Sequence, residues 1–505
     1  MEIRKKSYFN IRPAVIITAG LILGILAGYA YLFVSVYLWA SILFGCLLLG
    51  IILTCYFISK KRNFYAIIVL FTMLMLVVGA LITTVAGAPN FTAFGTSSFS
   101  GVVVDIFSEE IVDGNYIYSI IAKGNFLNNE NVKVYLSFSS AEKIFQGTKI
   151  CFNGYFSLSE LSSFTLSTGT HYLAYIEDGS LLFGEIDGVF NQLKFRLLTA
   201  LENNTGKTYG LNYALFTGQT QYALNSISKY QNLGIAHVFA VSGLHIGLTY
   251  LALDKFFKVI TSNEPLSFTI ISILLLCYVG FCGFTASALR AFIIITVRNF
   301  AKLFGEKSDA SSNLAVSAFV VLIINPLDLF SAGFLLSFTV YAGLILLTKP
   351  LALALEKVVF KSVANVLSPC IIAQLASIPI LIDLFGYASI FSFIFNLIII
   401  PLVAFFFPLL LISALLLITF PTGFVFGVIP HLFFTAVEYL LSFVNTEIFM
   451  ISGIKFSYSA VSYYFLLYTF AGKFNFSKKF ISILRIISFI LTVLLFVIIN
   501  IAVYY

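Results

Sequence analysis

Charge is what this chain has least of. Only 10% of its 505 residues are Asp, Glu, Lys or Arg, where a soluble chain averages about 25%. With 60% hydrophobic residues and a mean hydropathy of +1.01, most of its surface has lipid as solvent, which excludes an ordinary soluble globule. Histidine is also scarce. The four histidines (His171, His237, His245 and His431) are too scattered for a histidine-rich metal site. The six cysteines, at 46, 55, 151, 277, 282 and 370, show no metal-ligand spacing, and five lie in apolar runs. There a thiol behaves as a small hydrophobe. Cys151 is alone in the one polar region, so no intrachain disulfide is expected there. The sequence contains no G-x-x-x-x-G-K-[ST] phosphate loop, so an ATP-driven motor would have to be a partner. There is no short-period repeat and no low-complexity tail. No cofactor and no metal is expected.

What is present is a series of apolar runs. The first three cover about 14–34, 35–58 and 64–88. Each is near the ~20 residues that cross a bilayer. The first is too long for a cleaved signal, and a second span follows at once. Basic residues flank them: Arg4, Lys5, Lys6 and Arg12 before the first, and Lys60, Lys61 and Arg62 before the third. Such clusters stay cytoplasmic, so the third run delivers residue 95 onward to the outside. Further runs fall near 236–257, 267–284, 288–304, 311–325, 330–348, 369–386, 388–420, 422–446, 456–472 and 480–505. The 388–420 run, interrupted by Pro401 and Pro408, is open to reading as two segments. The expected fold class is a polytopic α-helical membrane protein of about 11–13 spans. Lys473, Lys478 and Lys479 before the last span suggest a cytoplasmic loop and an outside C-terminus.

Four regions follow. Residues 1–94 form an N-terminal three-helix membrane region. Residues 95–188 differ in kind: short β-branched and aromatic segments alternate with turn signals such as Asp113-Gly114 and Asn128-Asn129, an all-β pattern. About five strands suit a small Greek-key barrel such as an OB-fold, with another small β-sandwich as the alternative. This region carries eleven acids and four bases, a net −7 that leaves +14 elsewhere. Single-strand binders favour a positive groove with stacking aromatics. Tyr116, Tyr118, Phe126, Tyr135 and Phe138 are candidate stackers, but the charge opposes strong DNA binding. Residues 189–235 read as amphipathic surface helices, a linker into the membrane. Residues 236–505 form the main membrane domain.

The most informative segment is H-V-F-A-V-S-G-L-H-I-G-L at 237–248. Histidine inside a bilayer is costly and usually faces a cavity or a partner. On one continuous helix His237 and His245 would lie about 80° apart, with Ser242 one turn before His245. Gly243 and Gly247, four apart, would form a face open to close approach of another backbone. Arg290 stands in an apolar run with Ser287 nearby. A central arginine costs about 2.5–3.5 kcal/mol on insertion scales, so it should face water, a carboxylate or a phosphate. A structural ion pair, with Asp383 as a candidate, competes with contact to a phosphate backbone. Gln374, Asp383, Asn396 and Glu438 are further polar groups in apolar runs. Pro379, Pro401 and Pro408 can break helices, and broken membrane helices line cavities.

Several ordered blocks resemble the ComEC/Rec2 family of competence proteins, inner-membrane channels for single-stranded DNA in natural transformation. Ala214 to Gly218 followed by His237 to Leu248 is similar to the family's A-L-x-x-G … H-L-x-A-I-S-G-L-H signature. Ala286-Ser287-Ala288-Leu289-Arg290-Ala291 resembles its P-S-x-x-R-A block, with alanine for proline. Asn325-Pro326-Leu327 through Gly333 to Phe338, which includes Ser337, resembles D-P-x-x-L-x-x-x-G-F-x-L-S-F, with asparagine for aspartate. Asn396-Leu397 to Pro401-Leu402 resembles N-L-x-x-x-P-L. The resemblance covers about 190–420. It implies a multi-pass protein of the bacterial cytoplasmic membrane that passes single-stranded DNA, and not an enzyme. The implied pathway residues are His237, Ser242, Gly243, His245, Gly247, Ser287, Arg290, Ser337, Gln374 and Asn396. Implied partners are single-stranded DNA, membrane lipids, a DNA receptor, a separate ATP-driven helicase and a separate nuclease; a homo-oligomer is compatible. Many family members carry a metallo-β-lactamase-like domain with an H-x-H-x-D-H motif. That motif is absent from this sequence, so nuclease chemistry by that route is expected from another polypeptide. Two alternatives stand beside the channel: a transporter of another anionic or lipid substrate, and an intramembrane hydrolase using Ser242 with His245 or His431 as base.

Overall fold

The computed structural model describes residues 12–31, 49–57, 63–87, 95–112, 115–126, 129–158, 172–177, 179–389, 392–420, 424–442, 450–457, 459–471 and 478–504, with single positions at 59, 165, 168 and 170. Most of the run expected at 35–58, the basic cluster at 60–62, His171 and the turn at 113–114 lie outside the described residues. So do Arg4 to Lys6 and Lys473.

Two long apolar helices open the described chain, α1 (Pro13–Tyr31) and α2 (Asn63–Gly87). Glycines at 20, 24 and 28 recur every fourth residue, so they share one face of α1. A Cβ at these positions would land on Thr72, Leu76 and Ala80 of α2. The order of those contacts makes the two helices parallel. Without a hydrophobic drive between helices in lipid, such close backbone packing is what associates them.

Six strands follow: β1 (Gly95–Val112), β2 (Asn115–Phe126), β3 (Asn129–Ser140), β4 (Thr148–Leu158), β5 (Tyr172–Ile176) and β6 (Leu182–Ile186). The pairing runs β1-β2-β3-β5-β4 and closes through β1–β4, with β6 added on β4. Only β3–β5 is parallel within this ring. That is a closed five-stranded Greek-key barrel of OB type. Strict alternation along β4 puts Ile150, Phe152 and Phe156 inside. They pack with Phe99, Val103, Tyr118, Ile120, Leu136 and Tyr172 in a dry core.

Three helices, α3 (Val189–Thr205), α4 (Tyr209–Thr217) and α5 (Leu224–Asn232), lead on from the barrel. They are helical as expected, and α3 and α5 keep an exposed polar face, but α4 is buried on all sides. Leu197, Leu201, Leu211, Leu215 and Phe216 are fully or almost fully buried in the largest core cluster, against Phe407, Leu410 and Phe434 of later helices. Mixed polarity in the sequence marked an amphipathic surface; the tertiary fold covers both faces of α4.

The remaining helices are α6 (Gly243–Ile260), α7 (Glu264–Phe281), α8 (Ala286–Leu303), α9 (Ala310–Ile324), α10 (Ala332–Leu355), α11 (Lys361–Phe385), α12 (Ser392–Thr419), α13 (Phe424–Leu441), α14 (Ser459–Thr469) and α15 (Lys478–Tyr504). A two-stranded pairing of Tyr387–Ser389 with Met450–Ser452 ties the start of α12 to the segment before α14. Among the described residues, α2, α7, α10, α11 and α12 hold stretches long and apolar enough to cross a membrane, and Pro13–Tyr29, Ala310–Ile324 and Leu484–Asn500 are shorter apolar stretches. Helices α6 and α8 fall outside this group because each carries three charges, Asp254, Lys255 and Lys258 in one and Arg290, Arg298 and Lys302 in the other. The 388–420 run is one helix across Pro401 and Pro408, not two segments.

Contacts orient the bundle. Arg12 pairs with Asp309 at 2.9 Å. Thr18 donates to the Ala315 carbonyl at 3.0 Å. The Tyr29 and Phe330 rings lie 4.6 Å apart. Helices α1 and α9 therefore run side by side in the same direction. Where α9 ends, Asp328 lies in the electrostatic range of Lys133 of the barrel. The barrel thus sits over the far end from Arg12, and connectivity puts the N-terminal ends of α6, α8 and α10 at that end. Gln146 seats the barrel: it accepts from Lys194 Nζ of α3 at 2.9 Å, accepts from Gln219 and donates to the Val104 carbonyl.

Candidate functional site: a polar cluster beneath the barrel

The 237–248 segment is not one helix. Ala236–Val238 is a turn of 3₁₀ helix, and α6 begins only at Gly243. Ser242 is extended (φ −113°, ψ 170°) and caps it. Its Oγ accepts from Leu244 N at 3.2 Å, and its own N–H donates to His245 Nδ1 at 3.1 Å. This is a capping box with histidine in place of the usual Glu or Gln. The helical angle expected between His237 and His245 therefore does not exist. His237 is exposed, with Nδ1–H donating to the Gly234 carbonyl at 3.2 Å. His245 is buried at 1% exposure, its ring edge-on to Phe407. Because its Nδ1 accepts a backbone N–H, the ring proton belongs on Nε2. That nitrogen is buried without a partner among the described residues.

Arg290 enters from the first turns of α8. Its Nη1 donates to the Ser337 carbonyl of α10, and its guanidinium lies 4.9 Å from the Tyr341 ring centroid and 5.9 Å from that of Phe338. Such a cation–π seat is worth about 0.5–2 kcal/mol. No carboxylate pairs with it among the described residues, and its Nε is buried without a partner. Asp383 is not its counter-ion. It accepts the backbone N–H groups of Phe456 (2.6 Å) and Ser457 (2.9 and 2.8 Å), and so holds the turn before α14.

The glycines differ from expectation. A Cβ on Gly243 would come within 2.8 Å of Arg290 Nη2, whereas one on Gly247 would meet nothing within 4 Å. No neighbouring backbone uses this pair as a packing face. Gly243 leaves room for a guanidinium instead.

Four of the sequence blocks converge here. Ser287 donates to the Val241 carbonyl. A Cβ on Gly218 would meet Val241 at 3.0–3.2 Å. Arg290 joins α8 to Ser337, whose Oγ is buried and unpartnered among the described residues. Beside this lies a second group. Gln374 of α11 donates to the Ser389 carbonyl at 2.7 Å. A Cβ on Gly234 would press on Ser389 and Ser392, and Asn396 keeps a buried Oδ1 without a partner among the described residues. Ser242, Gly243, His245, Ser287, Arg290 and Ser337 form one constellation; His237, Gln374 and Asn396 surround the adjoining turn. Gly247 belongs to neither.

His431 is elsewhere. Its Nδ1 lies 2.9 Å from the Thr205 carbonyl and 3.4 Å from Thr208 Oγ1, so it ties α13 to the end of α3. Ser242 Oγ does lie 3.1 Å from His245 Nδ1, within reach of a nucleophile–base pair. The capping box accounts for that distance, and no described carboxylate orients the ring.

On the barrel, Tyr118 is wholly buried, and its hydroxyl accepts from Ile144 N at 3.0 Å; it is core, not a stacking platform. The Phe126 side chain lies outside the described residues. The most exposed rings among the described residues of the barrel are instead Tyr155 (47%) and Tyr175 (62%), directly opposite each other on β4 and β5. Alternation along β4 carried that signal. At the barrel's underside, burial raises the Asp105 carboxyl and lowers the Lys133 and Lys194 amines. Burial pushes Asp328 up to about 6, opposed by a hydrogen bond from Asn325 (2.6 Å) and by Lys133.

An inserted OB-type barrel over a polytopic helical bundle defines a multi-pass membrane protein of the cytoplasmic membrane. The family model described as "Competence protein" matches residues 215–478, and the chain belongs to that family. It is 29% identical to ComE operon protein 3 of Bacillus subtilis (strain 168) over 246 residues, 48% of this chain and 30% of that protein. It is 29% identical to Uncharacterized protein MG316 of Mycoplasma genitalium over 193 residues, 37% of this chain and 48% of that one. It is 27% identical to the MG316 homolog of Mycoplasma pneumoniae over 226 residues, 43% and 55% respectively. The matches thus span between about a third and about half of these relatives' lengths. No solved structure matches the chain.

Proposed function

We propose that the chain is a channel for single-stranded DNA during competence, and that the cluster beneath the barrel is where the strand enters the bundle. The observation that carries this reading is Arg290. It is a buried guanidinium at the barrel end of α8, held by a carbonyl and an aromatic ring, with no described carboxylate to neutralise it. A cation kept unpaired in an apolar setting is retained for a substrate anion, and guanidinium geometry suits phosphate oxygens. His245 Nε2 and the hydroxyl of Ser337 add buried polar atoms close by. The reading takes residues 1–94 as a membrane anchor, 95–188 as an external barrel, 189–235 as its connection and 236–505 as the channel.

In cells that depend on this chain for uptake, transformation should fall from wild type to Arg290→Lys to Arg290→Gln at constant protein level. Loss of one charged hydrogen-bonding group, about 1.5–3 kcal/mol, corresponds to roughly tenfold or more. Normal transformation with Arg290→Gln would refute a role in the strand's path.

A further inference from the structure

At the opposite end of the same helices lies a cavity of about 200 Å³ between α6, α7 and α8. Its deep wall is apolar, with Phe268 and Ile271 of α7. Its middle is polar: Tyr250 Oη donates to Asn299 Oδ1 at 3.0 Å, and Thr296 Oγ1 is buried with no partner among the described residues. Its mouth is charged and balanced. Asp254 and Lys258 pair at 2.6 Å on one wall. Glu264, at the start of α7, and Lys302, at the end of α8, are exposed on the others with no ion-pair partner among the described residues.

We infer that this cavity binds the headgroup of a zwitterionic phospholipid, with its ammonium toward Glu264, its phosphate toward Lys302 and its chains leaving past the half-buried Phe268. Three observations select that chemistry. An exposed carboxylate, with Lys258 in its electrostatic range but no ion pair, and an exposed ammonium face one space, so a ligand carrying both signs satisfies both, whereas a plain anion meets Glu264 as a like charge. The polarity grades from charged mouth to apolar wall, which fits an amphiphile better than a water-soluble zwitterion. The mouth opens at the end of α7, a helix long and apolar enough to cross a membrane, and headgroups lie at such ends. The volume holds a headgroup, not a whole lipid.

The full chain, purified into nanodiscs, tests this. In mixed phosphatidylethanolamine and phosphatidylglycerol discs, native mass spectrometry after delipidation should retain phosphatidylethanolamine preferentially. Glu264→Gln combined with Lys302→Gln should lower that retention about fivefold, as loss of two exposed pairs implies. The melting temperature in pure phosphatidylglycerol discs should stay that of wild type, which shows that the variant folds. Equal retention of the two lipids, or undiminished retention in the double variant, overturns the inference. Displacement of the lipid by millimolar phosphoethanolamine alone also overturns it, since it would make the ligand a soluble zwitterion.

Discussion

At the residue scale, Gly243 and Ser242 act through what they permit around Arg290 and α6. Gly243→Leu would drive a side chain into the guanidinium, whereas Gly247→Ala enters open space. Gly243→Leu should therefore lower the amount of folded protein on size-exclusion chromatography, and Gly247→Ala should not; equal yields would remove the assigned contact. Ser242→Ala deletes a helix cap, a loss of about 1 kcal/mol. It should keep partial transformation activity, and active-site serine probes should leave the wild type unlabelled. Covalent labelling at Ser242 would replace the channel with a hydrolase. The sequence singled out Ser242, His245, Arg290 and Ser337, and the fold brings all four together. It did not disclose that Asp383 is spent on a backbone turn, because which acid meets which base depends on helix packing far apart in the chain.

At the scale of elements, the close packing of glycine lies in the α1–α2 pair and not in α6. Gly24 faces the Leu76 backbone with no room for a Cβ. Gly24→Leu should separate the pair and make the N-terminal region more sensitive to protease in detergent, while Gly333→Ala, in open space on a helical backbone, serves as the control for handling. The period of four in Gly20, Gly24 and Gly28 was readable in the sequence. Its partner was not, because small residues announce a close contact without naming the opposing helix. The burial of α4 has a similar cause. Its polar residues bond inward, as Asn212 does to the Thr208 carbonyl at 3.0 Å and Thr217 to the Tyr213 carbonyl at 2.8 Å, so polarity alone reads as surface.

At the scale of the molecule, the barrel lies at the end of the bundle opposite Arg12, and the positive-inside rule predicts that this end faces out of the cell. Cys151 is exposed on the barrel. A membrane-impermeant maleimide should label wild type in intact cells and lose that signal in Cys151→Ser; labelling only after lysis would invert the topology. The junction between barrel and bundle should respond to acid. Burial raises the folded pKa of Asp328 to about 6 from 3.8, so the folded state binds the proton more tightly than the unfolded state. Its contribution is fully present below about pH 4 and is lost as pH rises through about 6. Asp328→Asn should raise the melting temperature at pH 7.5, and the gain should shrink toward pH 4. A gain independent of pH would mean that Asp328 is not the titrating group.

The sequence by itself determined the solvent, the presence of an inserted β region and the blocks that mark the family. These rest on local composition, strand alternation and spacing, which need no knowledge of distant contacts. Only the tertiary structure decided that the 237–248 segment breaks before Gly243, and that Gly243 makes room for a cation. It also placed Tyr118 inside the barrel while Tyr155 and Tyr175 face out. The helix start rests on a local cap in which histidine replaces the usual Glu or Gln, so the sequence pattern alone does not announce it. The room for a cation and the inward face of a closed sheet are set by which elements pack together, and that is a property of contacts tens of residues apart, not of a short window of sequence.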